Sequence, residues 1–224
     1  MAQCYVERVA GGGKKRSLRL TYLALFVNVV RERGSFKMLQ NKEDVIKLIQ
    51  SDEKMMEIIK AASSLDLPDW WICAGFVRSK IWDTLHGFND RTKTPDVDVI
   101  YFDNTNIDEN VEKGLENNLK HLMPDIPWSV KNQARMHDMN HFPPYTSSED
   151  AISKFPETAT ALGVKLDKDD HLVLASPCGI EDVLHLELKP TPYFTETIER
   201  AAIYRERIMK KNWKAIWHKL KVHY

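Results

Sequence analysis

Apolar positions between residues 42 and 63 recur every three or four residues: Val45, Ile46, Leu48, Ile49, Met55, Met56, Ile58, Ile59 and Ala62. That spacing predicts amphipathic helix. Asn41 is placed to cap its start, and Glu43 and Asp44 fall where the positive end of the helix dipole favours acids. Ser51 is placed to cap a second short helix. Past Pro68 the period changes. Residues 70–74 (WWICA) form a short, apolar, aromatic run that predicts a buried strand. Phe76–His86 returns to helical spacing with Phe76, Ile81 and Leu85 inward, and Gly87 ends it.

A polar loop over 87–95 leads to the clearest strand in the chain, carried by Val97, Val99, Ile100, Tyr101 and Phe102. Residues 107–122 suit a helix, with Ile107, Val111, Leu115, Leu119 and Leu122 on one face. The expectation beyond is a strand at 128–134, a loop with two prolines at 137–147, and a helix starting after Ser147 or Ser148. Short strands follow at 163–167 and 172–176, then an apolar stretch at 180–188 and a long amphipathic helix at 197–217. Helices alternating with strands predict an α/β (α+β) domain, a small mixed β-sheet flanked by helices.

Composition narrows the class without naming a partner. The chain has 224 residues, 32 Lys+Arg against 32 Asp+Glu, and 43% apolar residues, an ordinary globular balance that excludes a disordered or fibrous protein. Zero net charge argues against a protein whose main task is gripping a nucleic-acid backbone, though it allows a local basic patch. Cys4, Cys73 and Cys178 lie far apart with no C-x-x-C pair, so neither a disulfide framework nor a zinc site is expected. A reducing, cytoplasmic compartment fits that usage.

The N-terminus reads separately. Residues 11–20 are basic and Gly-rich and residues 20–30 almost wholly apolar, a pattern like a secretory signal but too short for a transmembrane helix of about 20 residues. No A-x-A-like cleavage site follows. Residues 1–37 are expected to be a non-native extension, with the native chain starting at Met38 and one domain spanning 38–224; a signal or anchor is the competing reading, and no membrane partner is expected.

The chemistry lies in 74–103. Gly75 falls where a strand turns into a helix, a place where a phosphate can approach the backbone and meet free N–H groups at the positive end of the helix. A plain tight turn would look the same. Arg78, in the first helical turn, opposes that dipole and calls for a negative partner, whether a protein carboxylate or a ligand phosphate. Asp96 and Asp98, one residue apart at the start of a strand, share a face. Two like charges side by side raise one pKa unless a cation sits between them, and magnesium would relieve this while keeping sites for substrate phosphates. Two exposed acids at a strand entrance are the plainer alternative.

Together the pieces form an order: A-G-F-V-R-S-K-I-W from Ala74 to Trp82, then L-H-G from Leu85 to Gly87, then D-V-D from Asp96 to Asp98. This resembles the nucleotidyltransferase fold of the DNA polymerase beta-like superfamily, and locally the CCA-adding and poly(A) polymerase pattern G-G-x-V-R-D-x-L-L-G … D-x-D. The stretches 70–103, 128–137 and 176–192 are similar to a bacterial family of nucleotidyltransferase-like proteins. The resemblance implies transfer of a nucleoside monophosphate from an NTP to a hydroxyl or amine acceptor with release of pyrophosphate. Asp96 and Asp98 would be catalytic and hold one or two Mg²⁺ ions. Gly75, Arg78, Lys131, Asn132 and Arg135 would bind the nucleotide, with Lys131 and Arg135 on one face of their strand and forming a cationic wall with Arg78. The acceptor, a tRNA end, a small molecule or a protein, is open.

Three positions depart from the pattern. Ala74 replaces the first Gly and Ser79 the acid after the Arg, and residues 128–134 hold no third carboxylate. Asn132 would take that place as a neutral ligand, or Glu181, Asp182 or Glu187 would supply the acid. The missing acid motivates an alternative, a catalytically inactive nucleotide-binding or adaptor module on the same fold. His137 and His141, four apart, would bind metal on a helix and support a hydrolase, but the prolines nearby favour loop histidines. The basic C-terminal run with Trp213 and Trp217 is expected to pack on the domain rather than lie on nucleic acid.

Overall fold

The computed structural model describes residues 39–224. The expectations for residues 1–37 and for a start at Met38 therefore lie outside the described residues. Five strands form one mixed sheet: β1 (Trp71–Cys73), β2 (Val97–Tyr101), β3 (Trp128–Asn132), β4 (Gly163–Leu166) and β5 (Leu172–Ala175). Their order is β3-β2-β1-β4-β5. Within this sheet only β2 and β3 run parallel; β1 is antiparallel to both β2 and β4, and β4 to β5. This is the small mixed sheet flanked by helices that the sequence predicts.

The antiparallel pairing of β1 builds the site. In an antiparallel pair the chain leaves one strand at the edge where it enters the other. Cys73, the last residue of β1, stands opposite Asp98, and Asp98 stands opposite Ser129 on β3. The turn after Cys73 and the residues just before Val97 therefore meet at one sheet edge. Residues directly opposite share a face. Ile72, Val99, Val130 and Val164 join the main core, whereas Trp71, Cys73 and Ile100 pack with Ile152 and Ala161 in a smaller cluster. Asp98 thus stands on the face of Cys73.

The helices follow their caps. In α1 (Lys42–Gln50) the Asn41 side chain accepts from the Asp44 N–H at 2.9 Å. In α2 (Glu53–Ser63) the cap is Asp52, accepting from Met55 N–H at 3.0 Å, and not Ser51. Ser51 instead closes α1, its N–H bonded to the Lys47 carbonyl at 3.0 Å. The helix α3 (Gly75–His86) ends at Gly87, whose φ of 71° suits glycine. Asp108 caps α4 (Glu109–Leu122). No helix among the described residues is long and apolar enough to cross a membrane.

Two segments differ from the sequence reading. The strand expected over 128–134 stops at Asn132, whose side chain accepts from the Ala134 N–H at 3.1 Å and starts α5 (Gln133–Asn140). Side-chain capping by Asn outcompetes one more strand pair, and the prolines at 143 and 144 fall beyond the helix end. After α6 (Ser148–Ser153), α7 (Glu181–Leu184), β6 (Glu187–Leu188) and α8 (Pro192–Thr195), the helix expected over 197–217 covers only Ile198–Lys211, labelled α9. Asn212 turns left-handed at φ 43°, and a 3-10 turn at Trp213–Ala215 carries the chain back. Trp213 and Trp217 then pack edge-on against Trp82 at centroid distances of 6.0 and 5.1 Å. Burying two tryptophans against a third outweighs two further helical turns. The chain ends in β7 (Lys221–Val222), paired parallel with β6.

Candidate active site

The corner after β1 is built on an unusual backbone. Ala74, the residue before α3, has φ 53° and ψ −113°, a conformation that disfavours side chains and costs of order 1–3 kcal/mol. It is held from both sides: its N–H donates to the Leu162 carbonyl at 3.0 Å, and its carbonyl accepts from Arg78 N–H at 3.0 Å. The conformational demand expected of a glycine corner therefore falls on Ala74, and Gly75 is the first helical residue. No side chain caps the start of α3. A methyl on Gly75 would meet Arg78 Nη2 and Thr94 Cγ2 at 3.6 Å, ordinary contact, so the packing accepts a Cβ at this position.

Across from this corner stand the two acids. Asp96 is exposed just before β2, and Asp98 is half-buried within it. Together with Ala74, Gly75 and Arg78 they line one cleft of about 340 Å³. Burial, and then the neighbouring charge of Asp96, push the Asp98 pKa up to about 6, while a hydrogen bond from the Ser129 hydroxyl and the charges of Lys211 and Arg207 pull it down. A raised carboxylate beside a second one marks a donor set short of positive charge. Two carboxylates opening on a shared cleft fit a hard divalent cation that keeps positions for phosphate oxygens and water.

Arg78 supplies the cleft's buried cation. It is 6% exposed, with its guanidinium carbon 4.3 Å from the Trp213 ring, 5.1 Å from Trp82 and 5.4 Å from Trp217. Nη2 donates to Ser79 Oγ at 3.2 Å, and Nε has no hydrogen-bond partner among the described residues. Burial lowers its pKa to about 10, opposed by Glu157. The tryptophans hold the cation by its faces and leave donor capacity unspent. Asp83 locks this arrangement, accepting from Thr92 N–H at 2.8 Å, Thr92 Oγ1 at 2.6 Å and Trp217 Nε1 at 2.8 Å.

The expected wall of Lys131 and Arg135 does not form at this cleft. Arg135 binds the buried Glu112 through Nε at 3.1 Å and Nη2 at 2.8 Å, and Lys131 Nζ lies 3.6 Å from the same carboxylate. The Asn132 N–H also donates to Glu112, at 3.1 Å, and its amide donates to the carbonyls of Asp103 and Asn106 at 2.7 and 2.9 Å. The physical reason is the early end of β3: strand parity does not apply to Arg135, which lies on a helix. The cleft's other cations are Lys93 of the loop before β2 and Arg207 and Lys211 of α9, none of which sequence reasoning singles out. Arg207 Nε is anchored on the wholly buried Glu157 at 2.6 Å. Their i,i+4 spacing is a signal, but not one that says what the helix packs against.

No third carboxylate lines the cleft among the described residues. Glu181 accepts from Ile180 N–H at 2.9 Å, Asp182 takes Lys189 and Thr158 at 2.8 Å, and Glu187 binds Lys221 and His223. Among the described residues the one cluster of three potential metal-binding side chains is Asp167, Asp169 and His171 in the β4–β5 turn, where Asp167 accepts the N–H groups of the other two. His137 pairs with Asp138 on α5, and exposed His141 ends that helix, so the two histidines form no such cluster.

A family model described as nucleotidyltransferase matches residues 60–222, from before the corner to the last strand. Among solved structures, the chain is similar to an NMR structure described as revealing a CCA-adding enzyme head domain, with 35% identity and a TM-score of 0.76 over 84% of this chain and 99% of that one. Its fold is also like that of the Thermotoga maritima CCA-adding enzyme complexed with tRNA, at 13% identity and a TM-score of 0.50 over 83% of this chain and 43% of that one. A CCA-adding enzyme in complex with CTP gives 12% identity and a TM-score of 0.51, over 84% and 44%. The chain thus spans less than half the length of these last two. No curated protein sequence matches it. With the family match running through the corner, both acids and the returning C-terminal helix, the chain belongs to the nucleotidyltransferase family.

Proposed function

We propose that this protein transfers a nucleoside monophosphate from a nucleoside triphosphate to a hydroxyl or amine acceptor, releasing pyrophosphate. The observation that supports it is the shared cleft: Asp96 and Asp98 facing an uncapped helix start and a buried Arg78 with an unspent donor. Asp96 and Asp98 are the residues that would hold magnesium. The metal, when bound, supplies Lewis-acid polarisation and charge neutralisation at the triphosphate. The chain's own groups do the rest. First-turn N–H groups of α3, from Gly75 onward, and Arg78 bind phosphate oxygens. Arg207 and Lys211 add positive charge to the same cleft, and the tryptophans keep water from the Arg78 faces, which strengthens its field.

In the transfer, the acceptor oxygen or nitrogen bonds to the α-phosphorus and the bond to the bridging oxygen breaks. Pyrophosphate leaves with the electron pair, and the acceptor proton passes to water. The protein contributes positioning and charge, as in phosphoryl transfer generally. A cytoplasmic location belongs to the same reading, supported by the free thiols of Cys73 and Cys178. Calorimetric titration with Mg·NTP tests it: the Asp96→Asn/Asp98→Asn protein is expected to lose at least about 100-fold in affinity, and equal affinity in both proteins ends the proposal.

A second reading has its own observation. Ser129, not an acid, stands opposite Asp98, and none of the described residues brings a third carboxylate to the cleft. A nucleotide-binding module without turnover would look like this. It predicts Mg·NTP binding without pyrophosphate release, and incorporation of α-labelled nucleotide into any acceptor excludes it.

A further inference from the structure

Beside the cleft of the two aspartates lies a larger cavity of about 680 Å³. Arg207 and Lys211 line both spaces, so the two meet at α9. The second cavity has a different character. Phe142, Tyr145, Phe155 and Phe194 line it, and Met139 and Ile203 keep 65% and 49% of their surface exposed there. Open apolar side chains around a concave aromatic lining mark a binding site for an apolar body. Unpaired charge comes from α9: Lys210 and Lys211 make no ion pair among the described residues, whereas Arg207 is held by Glu157 and Lys154 by Asp150. Glu206 is the lining's single acid.

We propose that this cavity is the acceptor site, and that the acceptor is a small organic anion with an aromatic or apolar body and a free hydroxyl or amine. The assignment rests on reading the Asp96/Asp98 cleft as the triphosphate site. The body lies against Phe142 and Phe155, the anionic group against Lys210, and the nucleophile points past Arg207 toward the cleft. The Glu157–Arg207 pair is the partition that fixes this direction, because a wholly buried carboxylate holds the guanidinium where the two spaces join. Size favours a small molecule: the volume falls inside the range of about 300–1,000 Å³ usual for such pockets. Charge favours it too. The chain has no net charge, and of the four cations in the lining Lys154 is paired with Asp150 and Arg207 with Glu157, which leaves two lysines where a single strand of nucleic acid needs a longer basic track.

The test uses 8-anilinonaphthalene-1-sulfonate, an aromatic anion, on the full chain. Fluorescence titration is expected to give saturable one-to-one binding. In methyl NMR, Ile203 and Met139 shift while Ile107, outside the cavity, does not. Ile203→Arg and Lys210→Glu, both at exposed positions, are each expected to weaken the probe about tenfold, equivalent to about 1.4 kcal/mol, and to leave Mg·NTP affinity within about twofold. Unchanged probe affinity in both variants, or shifts at Ile107 in place of Ile203 and Met139, overturns the proposal. So does a 12-nucleotide RNA that displaces the probe and binds more tightly, since the occupant is then nucleic acid. A protein that binds the probe but no Mg·NTP overturns the reading of the cleft and the acceptor role with it, while the cavity stands as a binding site.

Discussion

Glu112 and Asp98 are both carboxylates beside basic side chains, and they end in opposite states. Glu112 receives two bonds from Arg135, one from the Asn132 N–H and the nearby ammonium of Lys131. Every charge in that knot is answered within the chain, so it ties α4 to β3 and α5. Asp98 has a hydroxyl from Ser129 and a repelling neighbour in Asp96, and Arg207, one of its nearest cations, is committed to Glu157. Its charge is left unanswered on the side that opens to a cleft. Ionisable groups that tertiary structure leaves unsatisfied are where ligands are expected, and satisfied ones are where structure is held.

The contrast can be broken most directly at Arg135. Arg135→Ala leaves Glu112 buried with the Asn132 N–H and one more distant ammonium, and is expected to cost about 3 kcal/mol in urea unfolding. Mg·NTP affinity of the folded variant should not change. A tenfold loss of nucleotide binding at unchanged stability would exchange the roles of the two regions.

Arg78→Met probes the other side. Methionine fills the space among Trp82, Trp213 and Trp217 without a buried charge, so the ligand-free protein is expected to gain about 1 kcal/mol. Calorimetry should show Mg·NTP binding about tenfold weaker. Gain in both quantities would remove Arg78 from the site.

The pH dependence sharpens the comparison further. The folded Asp98 holds its proton up to about pH 6, against 3.8 for an ordinary aspartate. Between those values the folded state binds more protons than the unfolded, so this group's contribution is fully present below about 3.8 and is lost as pH rises through about 6. In metal-free protein, Asp98→Asn should therefore remove a fall in Tm across that window and raise Tm at pH 7. An unaltered Tm profile would contradict the unanswered charge. The smallest effect is expected at Ala74→Gly, where relief of the positive φ exceeds the entropy cost of glycine and leaves about 0.5–1 kcal/mol of stabilisation in thermal melts.

Much of this is legible in sequence because it is local. The periodicity of 42–63, the Asn41 cap, the Gly87 stop and the strand from Val97 all depend on near neighbours, and the structure has them. The order Gly75, Arg78, Asp96, Asp98 is legible for the same reason. What fails depends on a competition decided elsewhere. Asn132 as a cap and Asn132 as a strand residue look alike until the end of the sheet is known, and Arg135 is misplaced with it. The run 197–217 is helical in pattern throughout, yet Asn212 breaks it because Trp213 and Trp217 find Trp82.

The sequence by itself determined most of the helices and strands, the family, and the pairing of Asp96 with Asp98, since each rests on spacing along the chain. The tertiary structure alone decided which cations face those acids. Running β1 against β2 brings the corner to Asp98, and folding α9 back places Arg207 and Lys211 there, because antiparallel pairing and tryptophan burial act between residues far apart in sequence.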